Sequence, residues 1–120
     1  MGKAKKLTEK LSDMMPLNEM ASYREGKTGI RNTIFISPKG RAKHPPRIKV
    51  AIDPPTSFSP SGNSVSVQLD DFSVRGKAEC PAELLSDITK FIELNRQAII
   101  DYWEYRISTD DLSDRLKPIR

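Results

Sequence analysis

The sequence predicts an α+β domain: a small, mostly antiparallel sheet of three or four strands, packed by one long helix, with a short C-terminal helix after it. Two observations predict it. Several short segments between residues 30 and 74 alternate apolar and polar side chains, the period of a half-buried strand, and Pro- and Gly-containing turns separate them. From Ala82 to about Tyr105 no Gly or Pro occurs, and apolar residues recur at the spacing of one helix face. Short connections between adjacent strands favour antiparallel pairing.

Residues 1–28 are read as a mobile basic N-terminal arm, and residues 29–120 as the single domain. Leu7, Leu11, Met14 and Met15 recur near helical spacing, which predicts a short helix over residues 4–15 that Pro16 ends. Few large apolar groups follow before residue 29, so the arm is expected to order on a partner.

The first strand is placed at residues 30–37, with Ile30, Asn32, Ile34 and Ile36 on one face and Arg31, Thr33, Phe35 and Ser37 on the other. Ser37-Pro38-Lys39-Gly40 is a turn signature. Pro45-Pro46 forces an extended approach to Arg47–Asp53, where Ile48, Val50 and Ile52 alternate with Arg47, Lys49 and Ala51. Pro54-Pro55 stops that strand, and residues 54–63 are a loop by composition. Val65, Val67 and Leu69 predict a third strand. Phe72 and Val74 extend the sheet as a short edge, and Arg75-Gly76-Lys77 reads as a turn.

Pro81 and Glu83 suit the start of the long helix. At about 100° per residue, Leu85, Ile88, Phe91, Ile92, Ala98, Ile99, Tyr102 and Trp103 share one stripe. Asn95 falls near the stripe's centre and is expected to satisfy its amide on backbone groups. Leu94 and Ile100 stand outside the stripe and are the candidate contacts for the arm, the last helix or a second subunit. Ser108 or Thr109 caps the short C-terminal helix, which Leu112 and Leu116 tie down.

Charge is uneven. The chain carries 20 Lys and Arg against 16 Asp and Glu, a net +4. Residues 31–60 alone hold six bases against one acid, +5, whereas residues 81–120 hold six bases against eight acids. Such asymmetry points to an anionic partner or to self-association. Between Lys39 and Lys49 lie Lys39, Arg41, Lys43, Arg47 and Lys49, with His44 among them. Arg47 and Lys49 alternate with buried Ile48 and Val50, so their heads share one face, and Arg31 on the neighbouring strand is expected to join them. This strip suits phosphate contacts. The competing reading is a solvated face whose lysines keep the sheet from aggregating.

Catalytic material is scarce. His44 is the only histidine and Cys80 the only thiol, so a Cys–His pair needs those two together in space. A thiol just before a helix N-terminus is expected to have a lowered pKa. Gly26-Lys27-Thr28 makes no phosphate loop, because Ala21 stands where the pattern's first glycine belongs, and no Cys/His zinc cluster or internal disulfide can be built. Asp70-Asp71 and Asp110-Asp111 read as carboxylates of a turn and a helix start rather than metal ligands. No cofactor is expected. No run approaches the roughly 20 apolar residues of a membrane span, and Met1–Lys6 is basic without the apolar stretch of a secretory signal. The expected setting is the cytoplasm, and the expected partners are nucleic acid or an acidic protein, with a homodimer as the assembly.

Two segments carry a resemblance. Lys43-His44-Pro45-Pro46-Arg47-Ile48-Lys49-Val50 resembles the His-x-Pro-Pro-His-x-His-Val segment of a family of small bacterial proteins classed as a domain of unknown function, often encoded beside toxin–antitoxin-like genes. The run from Ile88 to Trp103 is similar to that family's closing helix, and the overlap spans roughly residues 30–105. The resemblance implies a compact sheet-plus-helix fold and a mobile-element or defence context, with no established activity. Arg47 and Lys49 stand where the family has histidines, so no metal or acid–base role carries over to them. A basic strand remains in that place, which favours a non-enzymatic binding or regulatory protein. The alternatives are a toxin-like ribonuclease using His44 with Arg41, Arg47 and Lys49, and an assembly protein that docks through its arm.

Overall fold

The computed structural model describes residues 21–41, 43–56, 63–76 and 78–120. Among them the order is β1 (Ala21–Tyr23), α1 (Glu25–Thr28), β2 (Ile34–Ile36), β3 (Arg47–Asp53), β4 (Asn63–Gln68), β5 (Val74–Gly76), α2 (Ala82–Trp103) and α3 (Thr109–Arg115). The five strands form one antiparallel sheet in the order β1-β2-β3-β4-β5. This is an α+β fold with more strands than the three or four expected.

The additional strand is β1, which lies in the segment read as arm. Ala21, Ser22 and Tyr23 pair with Ile36, Phe35 and Ile34. Tyr23 and Thr28 are both buried, so the domain already includes residues 21–28. Three residues are too few to show a period, which is why the strand left no trace in the pattern. The helix expected over residues 4–15 lies outside the described residues.

One face of the sheet carries Tyr23, Ile34, Ile36, Ile48, Val50, Val65 and Val67, all buried. Against it lies the stripe of α2, with Ile88, Phe91, Ile92, Asn95, Ala98, Ile99, Tyr102 and Trp103 buried. Each fully buried Ile or Phe contributes about 1.5–3 kcal/mol. Leu84 and Leu85 pack at the margin.

Between Ile30 and Thr33 the expected first strand departs from regular pairing. The Thr33 N–H donates to the Pro55 carbonyl, and the Asn32 amide donates to the Ala51 carbonyl at 2.8 Å. Strand β2 therefore shortens to three residues. Arg75 and Gly76 belong to β5 rather than to a turn. Gly76 has φ +142, and a Cβ there would stand 2.6 Å from the Ser64 carbonyl oxygen, so only glycine lets β5 approach β4.

Ser108 caps α3 in a capping box. Its hydroxyl accepts from the Asp111 N–H at 3.1 Å, while the Asp111 carboxylate accepts from the Ser108 N–H. Leu112 and Leu116 are buried. The tail beyond α3 returns to the start of the domain: the Ile119 N–H donates to the Thr28 carbonyl at 3.0 Å. The Arg120 guanidinium bridges the Gly29 carbonyl (2.8 Å) and the Asp87 carboxylate (3.0 Å).

Candidate functional site

The basic strip between Lys39 and Lys49 divides in space, because the loop after β2 crosses to the C-terminal end of α2. There the Lys39 N–H donates to the Trp103 carbonyl at 3.0 Å, and the Gly40 N–H donates to the Tyr105 hydroxyl at 2.9 Å. The Lys39 ammonium pairs with Glu104 at 3.3 Å. These contacts satisfy a carbonyl that the helix leaves open and place a cation at its negative end. Lys39 thus serves the fold. His44 joins the same contact, its ring 5.4 Å from that of Trp103 and its Nδ1 2.8 Å from the Pro45 carbonyl oxygen.

Arg41 and Lys43 are exposed on this loop. Arg31 is exposed too, but it precedes β2 by three residues whereas Lys39 follows it by three. The strand separates Arg31 from Lys39.

Arg47 and Lys49 project from the sheet face turned away from α2, as their alternation with Ile48 and Val50 requires. A third cation joins them there. Lys49 is the register partner of Ser66, and Ser66 that of Arg75. Lys49 and Arg75 therefore share one cross-strand row, with Cα atoms about 10 Å apart at two strand spacings. Arg47 lies two residues along β3, about 7 Å from Lys49. Burial, then the charge of Arg75, lowers the proton affinity of Arg47; burial, then the charge of Arg47, lowers that of Lys49. Sequence reasoning missed Arg75 because Gly76 beside it suggested a turn.

The same face is less bare than expected. Phe35, Ala51, Ser66 and Gln68 lie on it and are each at most 8% exposed. The cations therefore rise from a surface already largely removed from water. Low local water content strengthens charge interactions there.

The remaining candidates separate. Cys80 stands before the first turn of α2 and His44 at its last, and 22 residues of helix span about 33 Å, so the two form no Cys–His pair. Burial pushes the Cys80 thiol up, opposite to the helix-start expectation. Asp70 and Asp71 order their own turn, with the Ser73 N–H donating to Asp71 at 2.9 Å. Leu94 is 49% exposed and lines a groove of about 390 Å³ between α2 and α3 with Ala98 and Lys117. Ile100 packs instead against the protein's own core, so the two do not form one exposed apolar patch. No helix among the described residues is long and apolar enough to cross a membrane.

Comparison with known proteins finds no matching family model, no matching curated protein and no matching solved structure.

Proposed function

We propose that this is a non-enzymatic binding protein whose cationic sheet face receives an anionic partner. The observation that carries the reading is the convergence of Arg47, Lys49 and Arg75 on one half-buried face. Like charges gathered this way repel one another, and Arg47 and Lys49 have lost part of their hydration. Among the described residues no carboxylate pairs with Arg47 or Arg75. An anion supplied from outside relieves both costs. Arg47 and Arg75 offer planar forks to phosphate or carboxylate, and Lys49 offers a point charge. Arg41 and Lys43 on the adjoining loop extend the field.

The ribonuclease alternative draws less support. Proton transfer by His44 needs a second acid–base group, and among the described residues its ring meets Trp103 and the Pro45 carbonyl, neither of which transfers a proton.

Binding of labelled oligonucleotides and of polyglutamate, followed by anisotropy over about 50–300 mM salt, tests the reading. Affinity that falls steeply with salt, with a slope flattened in the Arg47→Ser/Lys49→Ser/Arg75→Ser protein, is the expected result. Absence of binding to either polymer at the lowest salt contradicts it.

A further inference from the structure

We infer that the β5 edge takes up an extended acidic segment of a partner protein as a sixth strand. This rests on the reading of Arg47, Lys49 and Arg75 as an anion-receiving face, and it names the class of anion.

Among the described residues, strand β5 ends the sheet order and pairs on one side only, with β4. Its three residues, Val74, Arg75 and Gly76, are all exposed. Antiparallel ladders alternate hydrogen-bonded and non-hydrogen-bonded pairs. Both backbone groups of Gln68 face the β5 side: its N–H donates to the Ser73 carbonyl at 3.0 Å, and its carbonyl accepts from the Phe72 N–H at 3.1 Å. Two residues on, Arg75 directs its N–H and carbonyl toward Ser66. Val74 and Gly76 then turn theirs outward, away from β4. An incoming antiparallel strand bonds to Val74 and Gly76. Its residue opposite Arg75 forms the close, non-hydrogen-bonded pair, with side chains about 4.5–5.5 Å apart at Cβ on the same face.

That face is the cationic one. A carboxylate opposite Arg75 continues the row that holds Lys49. One placed two residues along continues the row of Ser73, Gln68 and Arg47. The partner strand therefore carries acidic residues at alternate positions, and backbone pairing supplies the rest of the affinity.

Charge decides against the other occupants. A second copy paired β5 to β5 about Arg75 sets guanidinium against guanidinium. A nucleic acid meets the cations but leaves the outward N–H and carbonyl groups unpaired. Among the described residues its bases also find no open ring on this surface, since Phe35 is 8% exposed and Phe72 lies under the Arg96 guanidinium at 5.4 Å.

The test uses the full chain and a fluorescent peptide of about nine residues in which Glu alternates with Val or Thr, beside the same peptide N-methylated at alternate backbone positions and a single-stranded oligonucleotide, at about 100 mM salt. The expected result is peptide binding that weakens about tenfold with Arg75→Ser and about tenfold with N-methylation, together with slowed amide exchange at Val74 and Gly76. Equal binding of the N-methylated peptide overturns the added strand while leaving the anion-receiving face in place. So does tight binding of the oligonucleotide with none of the peptide. Failure of every probe overturns both.

Discussion

The side chain of Asn95 pairs with both backbone groups of Lys117. Its Nδ2 donates to the Lys117 carbonyl at 2.9 Å, and its Oδ1 accepts from the Lys117 N–H at 2.8 Å; Nδ2 also donates to the Phe91 carbonyl. One buried amide in the apolar stripe thus fixes the tail where it leaves α3. Replacing it with Ala strands both Lys117 groups, and the expected loss is about 2–3 kcal/mol in urea denaturation. Asn95→Asp keeps the bond from the N–H but sets a carboxylate oxygen against the Lys117 carbonyl. A loss at least as large is expected from it.

Tyr23 supplies the opposite case. Its ring is buried, yet among the described residues its hydroxyl has no hydrogen-bond partner. Burial first, then the charges of Tyr102 and Asp110, pushes its pKa from near 10 up to about 12. A raised folded value means that the neutral phenol's contribution to stability is whole below about pH 10 and fades as pH climbs through about 12. Tyr23→Phe removes an unpaired polar atom, so it is expected to gain about 1 kcal/mol at neutral pH and to lose less stability than the parent between those values. Thermal melts at pH 7 and pH 11 check both. A large destabilisation at neutral pH contradicts the account.

Asp101 predicts an acid-side effect. The amide of Gln97 donates to it at 2.9 Å, and Arg115 and Arg106 pair with it at 3.1 and 3.2 Å. The Gln97 bond first, then the two arginines, holds the carboxyl below its ordinary value of 3.8. A depressed folded value contributes stability above the ordinary range and loses it as pH falls through the lower folded value. Asp101→Asn is therefore expected to melt below the parent at pH 7 and to converge with it as the pH drops below about 3.8. A constant gap across that range speaks against the ionised carboxylate of Asp101 as the source of the stabilisation.

Long periodic elements were legible in the sequence, and short ones were not. The stripe of α2 has enough turns for Ile88, Phe91, Ile92 and Ile99 to define a face, and β3 has enough residues for Ile48 and Val50 to do so. Strand β1 has neither length nor alternation; only its pairing with β2 makes it a strand. Asn95 was legible as a buried amide, but its partner Lys117 lies 22 residues away and no local pattern points to it. The basic strip was legible as charge and not as geometry. Lys39 and Lys49 sit in one run of sequence, yet tertiary contacts send the first to the end of α2, while strand pairing brings Arg75 to Lys49 from another segment.

On the proposed reading the anion meets Arg75 on the sheet face and not Lys39 on the loop. Lys39→Ser and Arg75→Ser each remove one positive charge. The Lys39–Glu104 pair is solvent-exposed, so its loss costs stability about 1 kcal/mol or less. Salt-dependent binding of polyglutamate should lose about one unit of slope with Arg75→Ser and keep the parental slope with Lys39→Ser. The reverse order, with Lys39 carrying the slope and Arg75 silent, would place the anion surface on the loop and contradict the sheet face as the site.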